Sequence, residues 1–280
     1  MKNSHNLSLG YSPCPNDTFI FYGLVHDKIS ATNISFTPPF LEDVEQLNLW
    51  ALEKRLDVTK LSFHALGHVL DEYCILSAGS ALGRGCGPLL IAKNQCVVEE
   101  LSGKRIAIPG KLTTAALLLQ MFLPGGYELV EIRFDQIMQA VQDGSVDGGV
   151  IIHESRFTYL ELGLQCVQDL GVWWEESTSM PIPLGCIAAR RSLGSEVIAA
   201  IEEAIRGSVE YAFNNRQACL PYIQSNSQEL APEVVQSHIE LYVNEFSRNL
   251  GQEGMAAVEH FLEKGRKAGA LPYCPLGVTI

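Results

Sequence analysis

The sequence predicts an α/β protein built as two lobes with a cleft between them. Three observations lead there. A plan of strand, polar turn and helix, then helix, acid and strand, occurs once before residue 65 and again between Gly103 and His153. A glycine-dense stretch over 76–92, LSAGSALGRGCGPLLIA, is able to cross between the two copies as extended chain. Beyond Gly194 the apolar pattern becomes mostly helical, which suits helices packed on the first lobe.

Taken in order, Leu7, Leu9 and Tyr11 read as a strand over 7–11. The turn after it, S-P-C-P-N-D, holds two prolines, which fix φ and withdraw backbone donors, so the loop has a defined shape. It stands at the carboxyl end of a strand, where open α/β sheets put their ligands. A helix follows over 17–26, opening at Asp17 or Thr18, with Asp17 the simplest N-cap. Leu41, Val44, Leu47 and Trp50 recur at helical spacing, and a short strand over 58–61 ends at Ser62. The second copy has a strand at 105–108, the turn Pro109-Gly110-Lys111, and a helix over 113–123 that Pro124-Gly125-Gly126 stops. A helix over 134–142 leads through Ser145-Val146-Asp147 to a strand at 149–152, which ends at His153. The return crossing is expected at 180–190. Helices follow over 195–214, with a Ser cap, then 232–246 and 253–267. The lobes are therefore expected as 1–88 with 190–280, and 89–189.

Composition narrows the classes. The 280 residues are 47% apolar and 19% charged, which suits a packed globular protein. There are 20 basic and 32 acidic residues, a net charge of −12, and no basic run longer than Arg190-Arg191. No nucleic-acid partner and no membrane partner are expected from that balance. The first ten residues lack the apolar core of a secretory signal, and no window approaches the length of a membrane span. The eight cysteines show neither a C-x-x-C pair nor zinc-like spacing. The expectation is a cytoplasmic protein with reduced thiols and a small-molecule carboxylate partner. A homodimer is compatible with the sequence, which does not fix oligomeric state.

Strand ends of both lobes should face a shared crevice, which brings together the segments 12–17, 59–64, 110–114 and 153–155. From the first come Ser12, Asn16 and Asp17 as candidate ligand contacts, and from the second Thr59, Lys60, Leu61 and Ser62. Lys60 in an apolar strand is costly unless it snorkels, pairs or meets an anionic ligand; an edge strand with Lys60 in solvent is the alternative. Thr113 and Thr114 open a helix after a glycine turn, where free amides and the helix dipole suit a carboxylate or phosphate. One of them serving only as N-cap is the plainer account. His153 at a strand terminus is placed for general acid–base work, or is a structural histidine between lobes. His64 and His68 stand four residues apart, yet lack a third ligand and the Glu of a zincin motif, so no metal site is expected. Gly83–Gly87 lacks the Lys-Ser/Thr ending of a phosphate loop. Trp173-Trp174 read as an apolar lobe contact, and Cys14 as a small packing residue between prolines.

Two βα lobes joined by two crossings resemble the type II periplasmic-binding-protein architecture. The runs S-P-C-P-N-D-T-F-I-F-Y (12–22), L-E-D-V-E-x-L-N (41–48), T-K-L-S (59–62), G-S-A-L-G-R-G-x-G-P-L (79–89) and the Thr113-Thr114 pair carry a closer resemblance. They resemble the 1,4-dihydroxy-6-naphthoate synthases of the futalosine route of menaquinone biosynthesis. The similarity is densest before residue 160, and S-P-C-P-N-D-T-F is its most specific part. The resemblance implies a lyase that opens cyclic dehypoxanthinylfutalosine and expels its sugar-derived fragment. Aromatisation drives that reaction, so no redox or metal cofactor is implied. It also implies His153 as proton acceptor, with Thr59, Lys60, Leu61, Thr113 and Thr114 touching substrate. The chain departs from the pattern after Ser62, at Phe63-His64-Ala65-Leu66, so the resemblance gives His64 no role. The competing readings are a chorismate dehydratase of the same pathway and a non-catalytic solute-binding protein for a small carboxylate. The missing export signal argues against the second.

Overall fold

A computed structural model describes residues 5–31, 33–123, 125–227 and 231–280. The chain opens with β1 (His5–Leu7), β2 (Leu9–Tyr11), α1 (Pro15–Val25), β3 (Ile34–Phe36), β4 (Phe40–Leu41), α2 (Val44–Leu52), β5 (Val58–Ser62), α3 (Phe63–His68), β6 (Tyr73–Ile75) and β7 (Ala81–Gly83). It continues through β8 (Leu89–Ala92), β9 (Arg105–Ile108), α4 (Thr114–Phe122), β10 (Glu128–Glu131), α5 (Ile137–Asp143), β11 (Gly148–Ile151), α6 (Ser155–Thr158), β12 (Gln165–Asp169) and α7 (Leu170–Thr178). The return strand β13 (Ile182–Arg190) precedes α8 (Ser195–Asn214), α9 (Arg216–Asn226), α10 (Pro232–Tyr242), α11 (Glu245–Arg248) and α12 (Gly251–Lys267). Among the described residues no helix is long and apolar enough to cross a membrane.

Two mixed sheets bear out the two-lobed α/β expectation. The first has the order β4-β2-β5-β13-β6, with β7 also on β13; the second is β10-β9-β11-β8-β12. In the first, β2 runs parallel to β4 and β5, and β13 runs antiparallel to β5, β6 and β7. In the second, β9 lies parallel between β10 and β11, while β8 is antiparallel to β11 and β12.

The return stretch is therefore not a bare crossing. Residues 182–190 form a buried strand of the first sheet, so the sheets divide the chain before residue 182 and not at 189. Pro183 stands beside an irregularity in the pairing with β7, which is how a proline is accommodated inside a sheet. The predicted strand over 7–11 splits at Ser8, whose N–H and hydroxyl both donate to Asp57 Oδ2. Helix α1 begins at Pro15, two residues earlier than expected, because proline is pre-set for the first helical position. Ser195 is the first residue of α8 and caps nothing; Gly194 with φ of 80° takes the cap position. The helix expected over 232–246 breaks at Val243, and a capping box of Asn244 and Ser247 starts α11. Pro124 lies outside the described residues.

One hydrophobic cluster is shared by both lobes, beside a separate one in each. It runs from Leu61, Phe63 and Leu66 through Leu117 and Leu118 of α4 to Trp174 and Phe261. Helix α4 belongs to the second lobe by sequence, yet it packs on α3, β13 and α12. Each fully buried leucine there contributes about 1.5–3 kcal/mol by leaving water. Trp174 is the apolar contact expected of it: it packs on Phe261, and its indole N–H donates to Pro181 O at 3.2 Å.

Candidate active site

The proline-bounded loop creates the first wall. With Pro15 leading α1, the carbonyl of Cys14 accepts from Thr18 N at 3.0 Å, and Cys14 is the N-cap. Asp17 is thus inside the first turn and is not the cap. Its carboxylate reaches back to Ser12, accepting from the hydroxyl at 2.9 Å and from the amide at 3.2 Å. The other oxygen accepts from Asn16 Nδ2 at 2.7 Å and from the Lys60 ammonium. Both members of that ion pair are buried, with side chains 5% and 1% exposed. Lys60 is therefore paired and not in solvent, and its charge is balanced before any ligand arrives.

The second wall is the start of α4. Thr113 Oγ1 accepts from Ala116 N at 3.2 Å and donates to Gly110 O at 2.7 Å. Thr114 Oγ1 donates to Leu184 O at 2.6 Å. Both hydroxyl protons are thus used within the protein. The amides of Thr114 and Ala115 have no partner among the described hydrogen bonds, and both residues line the cavity. An anion at this site would be held by first-turn amides and the helix dipole, more than by threonine donors. First-lobe groups fix the turn in place. Glu45 accepts from Leu112 N at 2.9 Å, and burial raises its carboxyl above the usual range. Asn48 links Glu45 to Ser62. His64 Nδ1 meets Thr113 O at 3.1 Å, and burial, aided by His68, lowers its imidazole to about 4. His64 and His68 bond to each other at 3.4 Å.

His153 stands two residues past the end of β11, in the left-handed region at φ 56°. Its ring lies over His238 at 6.0 Å between centroids and 8° between planes, with the edge of Phe134 at 5.0 Å. Its Nε2 is 3.9 Å from Cys14 Sγ. Among the described residues, Cys14, His153 and Glu154 are the one group of three whose metal-ligating atoms all lie within 4.8 Å of one another.

Together these walls bound a cavity of about 90 Å³. From the first lobe Ser12, Asn16, Asp17, Lys60 and Ser62 line it, and from the second Thr113, Thr114 and His153. Thr59 and Leu61 do not. Successive strand residues point to opposite faces, so with Lys60 and Ser62 turned to the cavity, Leu61 enters the core. Thr59 is buried, and its hydroxyl donates to Lys60 O. Sequence reasoning missed Val44, Cys86, Leu184 and Tyr242, which also line the space, and His238 behind His153. Burial pushes the Cys86 thiol up to about 12. A signal for the last two exists: His238 and Tyr242 lie four apart on the stripe Val235, His238, Ile239, Tyr242 that α10 buries.

Fold and site together define a cleft protein of the binding-protein architecture, with a titratable group at its centre and an anion-ready helix start opposite. A family model described as menaquinone biosynthesis matches residues 7–267, and the chain belongs to that family. It is 49% identical over 265 residues to a 1,4-dihydroxy-6-naphtoate synthase of Thermus thermophilus, covering 94% of this chain and 95% of that one. A second 1,4-dihydroxy-6-naphtoate synthase, from Streptomyces coelicolor, is 41% identical over 278 residues, covering 96% of each. A crystal structure of an Archaeoglobus fulgidus protein superposes with a TM-score of 0.89 at 38% identity, over 96% of this chain and 99% of that one. The alkanesulfonate-binding protein of Xanthomonas axonopodis pv. citri shares the fold alone, with a TM-score of 0.70 at 14% identity over 96% and 94% of the two chains.

Proposed function

We propose that this chain is a carbon–carbon lyase of menaquinone biosynthesis that converts cyclic dehypoxanthinylfutalosine to 1,4-dihydroxy-6-naphthoate. The observation that carries the reading is His153 on the wall of a cavity whose other side is the open first turn of α4. A substrate carboxylate binds the amides of Thr114 and Ala115 and needs no cationic side chain there. Val44, Ile152 and Leu184 offer apolar surface to a planar ring, while Asp17, Lys60 and Ser62 face its polar substituents. His153 removes a proton as the carbon–carbon bond breaks, and aromatisation of the departing ring system supplies the driving force. Holding the substrate between two walls fixes the geometry of that step and excludes water.

The test is incubation of purified protein with cyclic dehypoxanthinylfutalosine, following the naphthoate by chromatography. His153→Ala should lower turnover by roughly 10²–10⁴-fold with product affinity little changed. Undiminished turnover in that variant removes His153 from the chemistry. Turnover of chorismate instead would favour the dehydratase reading, and tight binding without turnover the solute-binding reading.

A further inference from the structure

Beside His153, two buried acceptors face each other. Glu154 Oε2 and His238 Nδ1 are both buried, both without a hydrogen-bond partner among the described residues, and 3.8 Å apart. They come from different lobes: Glu154 stands just past β11, and His238 lies on α10, which packs against α1. Asn16 of α1 fixes the tautomer of His238. The Asn16 amide nitrogen is committed to Asp17, so its Oδ1, 3.0 Å from His238 Nε2, accepts there. Nε2 then carries a proton, and Nδ1 is left as a lone pair aimed at a carboxylate oxygen. Two lone pairs facing each other in a buried space repel, and neither finds the partner that burial demands.

We propose that Glu154 and His238 hold one proton between them and serve as positioning residues for His153. A single proton on the line from Oε2 to Nδ1 gives both atoms a partner at once. A hydrogen bond of ordinary length needs the two to close by about 0.8 Å, a shift that rotation of the Glu154 side chain supplies. Carboxylate, neutral ring and one proton sum to zero, so the pair adds no net charge beside His153. The proton stays within the pair and is not passed to substrate.

His153 has a φ of 56°, a conformation that a residue other than glycine keeps only where its surroundings hold it. Glu154 is the next residue, so tying its side chain to α10 fixes the peptide that carries the strain. His238 acts on the ring as well. The two imidazoles lie parallel, at 8° and 6.0 Å between centroids, and the edge of Phe134 closes on His153 at 5.0 Å. The shared proton thus joins the lobes at the point where His153 meets the cavity. The positioning role rests on the reading given under Proposed function; the shared proton does not.

Nitrogen-15 NMR of the full-length protein with labelled histidines, at pH 7 and without substrate, tests the pair. His238→Phe identifies the His238 signals by their loss. Wild-type His238 should show a protonated Nε2 and an Nδ1 shifted well away from the position of a free lone pair. Glu154→Leu should return Nδ1 to that position, and Glu154→Gln, whose amide can donate to Nδ1, should keep most of the shift. A free lone pair at Nδ1 in the wild type overturns the shared proton. In the lyase assay Glu154→Leu should lower kcat roughly tenfold, the worth of one buried hydrogen bond, with KM little changed. Glu154→Gln should regain most of that loss. Leucine fills the same space, so equal kcat in the two variants means packing alone and overturns the positioning role. His238→Phe keeps a ring beside His153 without either nitrogen and should cost the same factor; unchanged kcat there also overturns it. A wild type that turns nothing over removes the lyase reading, and with it the positioning role, while the nitrogen shift still decides the pair.

Discussion

Burial decides what His64 does. Its Nδ1 is committed to Thr113 O, and desolvation together with His68 lowers its pKa from 6.5 to about 4. The unfolded chain therefore takes up this proton first as pH falls, so the stabilisation is complete above pH 6.5 and is lost on the way down to about 4. The loss amounts to about 3 kcal/mol for this one group. Urea titrations at pH 7 and pH 4 should show a smaller drop for His64→Gln than for the wild type; equal drops would contradict this account. At the same scale, the sequence exposes the dilemma of Lys60 but not its answer. The partner, Asp17, is 43 positions away. Strand alternation alone would have excluded Thr59 and Leu61 from the cavity once Lys60 was placed in it. His238 was hidden because a histidine in a helical stripe reads as ordinary core.

At the scale of elements, the start of α4 depends on a glycine. Gly110 adopts φ of 156°, and a Cβ there would stand 2.3 Å from the Glu45 carboxyl carbon. Glu45 holds the amide of Leu112, so Gly110→Ala pushes away the group that steadies the turn. That change should cost about 1–3 kcal/mol as overpacking. It should also weaken binding of a carboxylate ligand, seen by denaturant titration and by calorimetry with the product. An unaltered affinity would mean that the turn does not shape the anion site. Elements with strong local signals were legible: the strand Arg105–Ile108 falls where the pattern puts it, and Thr113 caps α4 as its hydroxyl suggests. Strand β13 was not, because Pro183 and Gly185 look like a connector, and only its partners β5 and β6 make it a strand. Helix α9 was missed for a similar reason, with Pro221 in its interior.

The molecule as a whole has two sheets and, beside a separate cluster in each lobe, a core cluster through α4 that both lobes share. Two lobes sharing their interior should unfold together, so calorimetry should give a single transition with equal calorimetric and van't Hoff enthalpies. Leu117→Ala, at 0% exposure in that shared region, should cost about 2–5 kcal/mol and shift the transition without splitting it. Two separate transitions would mean that the lobes fold independently. The repeated strand-and-helix plan made the two lobes readable. Their common core was not, because contacts between distant segments leave no period in the chain.

The ion pair of Lys60 and Asp17 has a consequence for how a ligand arrives. A protein of net charge −12 repels an anion at long range, and the lysine in its cleft is already neutralised. Capture then rests on short-range amides that act only on contact. Added salt screens the repulsion without touching those amides, so stopped-flow association of a carboxylate ligand should quicken as ionic strength rises. Such a cleft does not draw its ligand in from solution; it waits for collision.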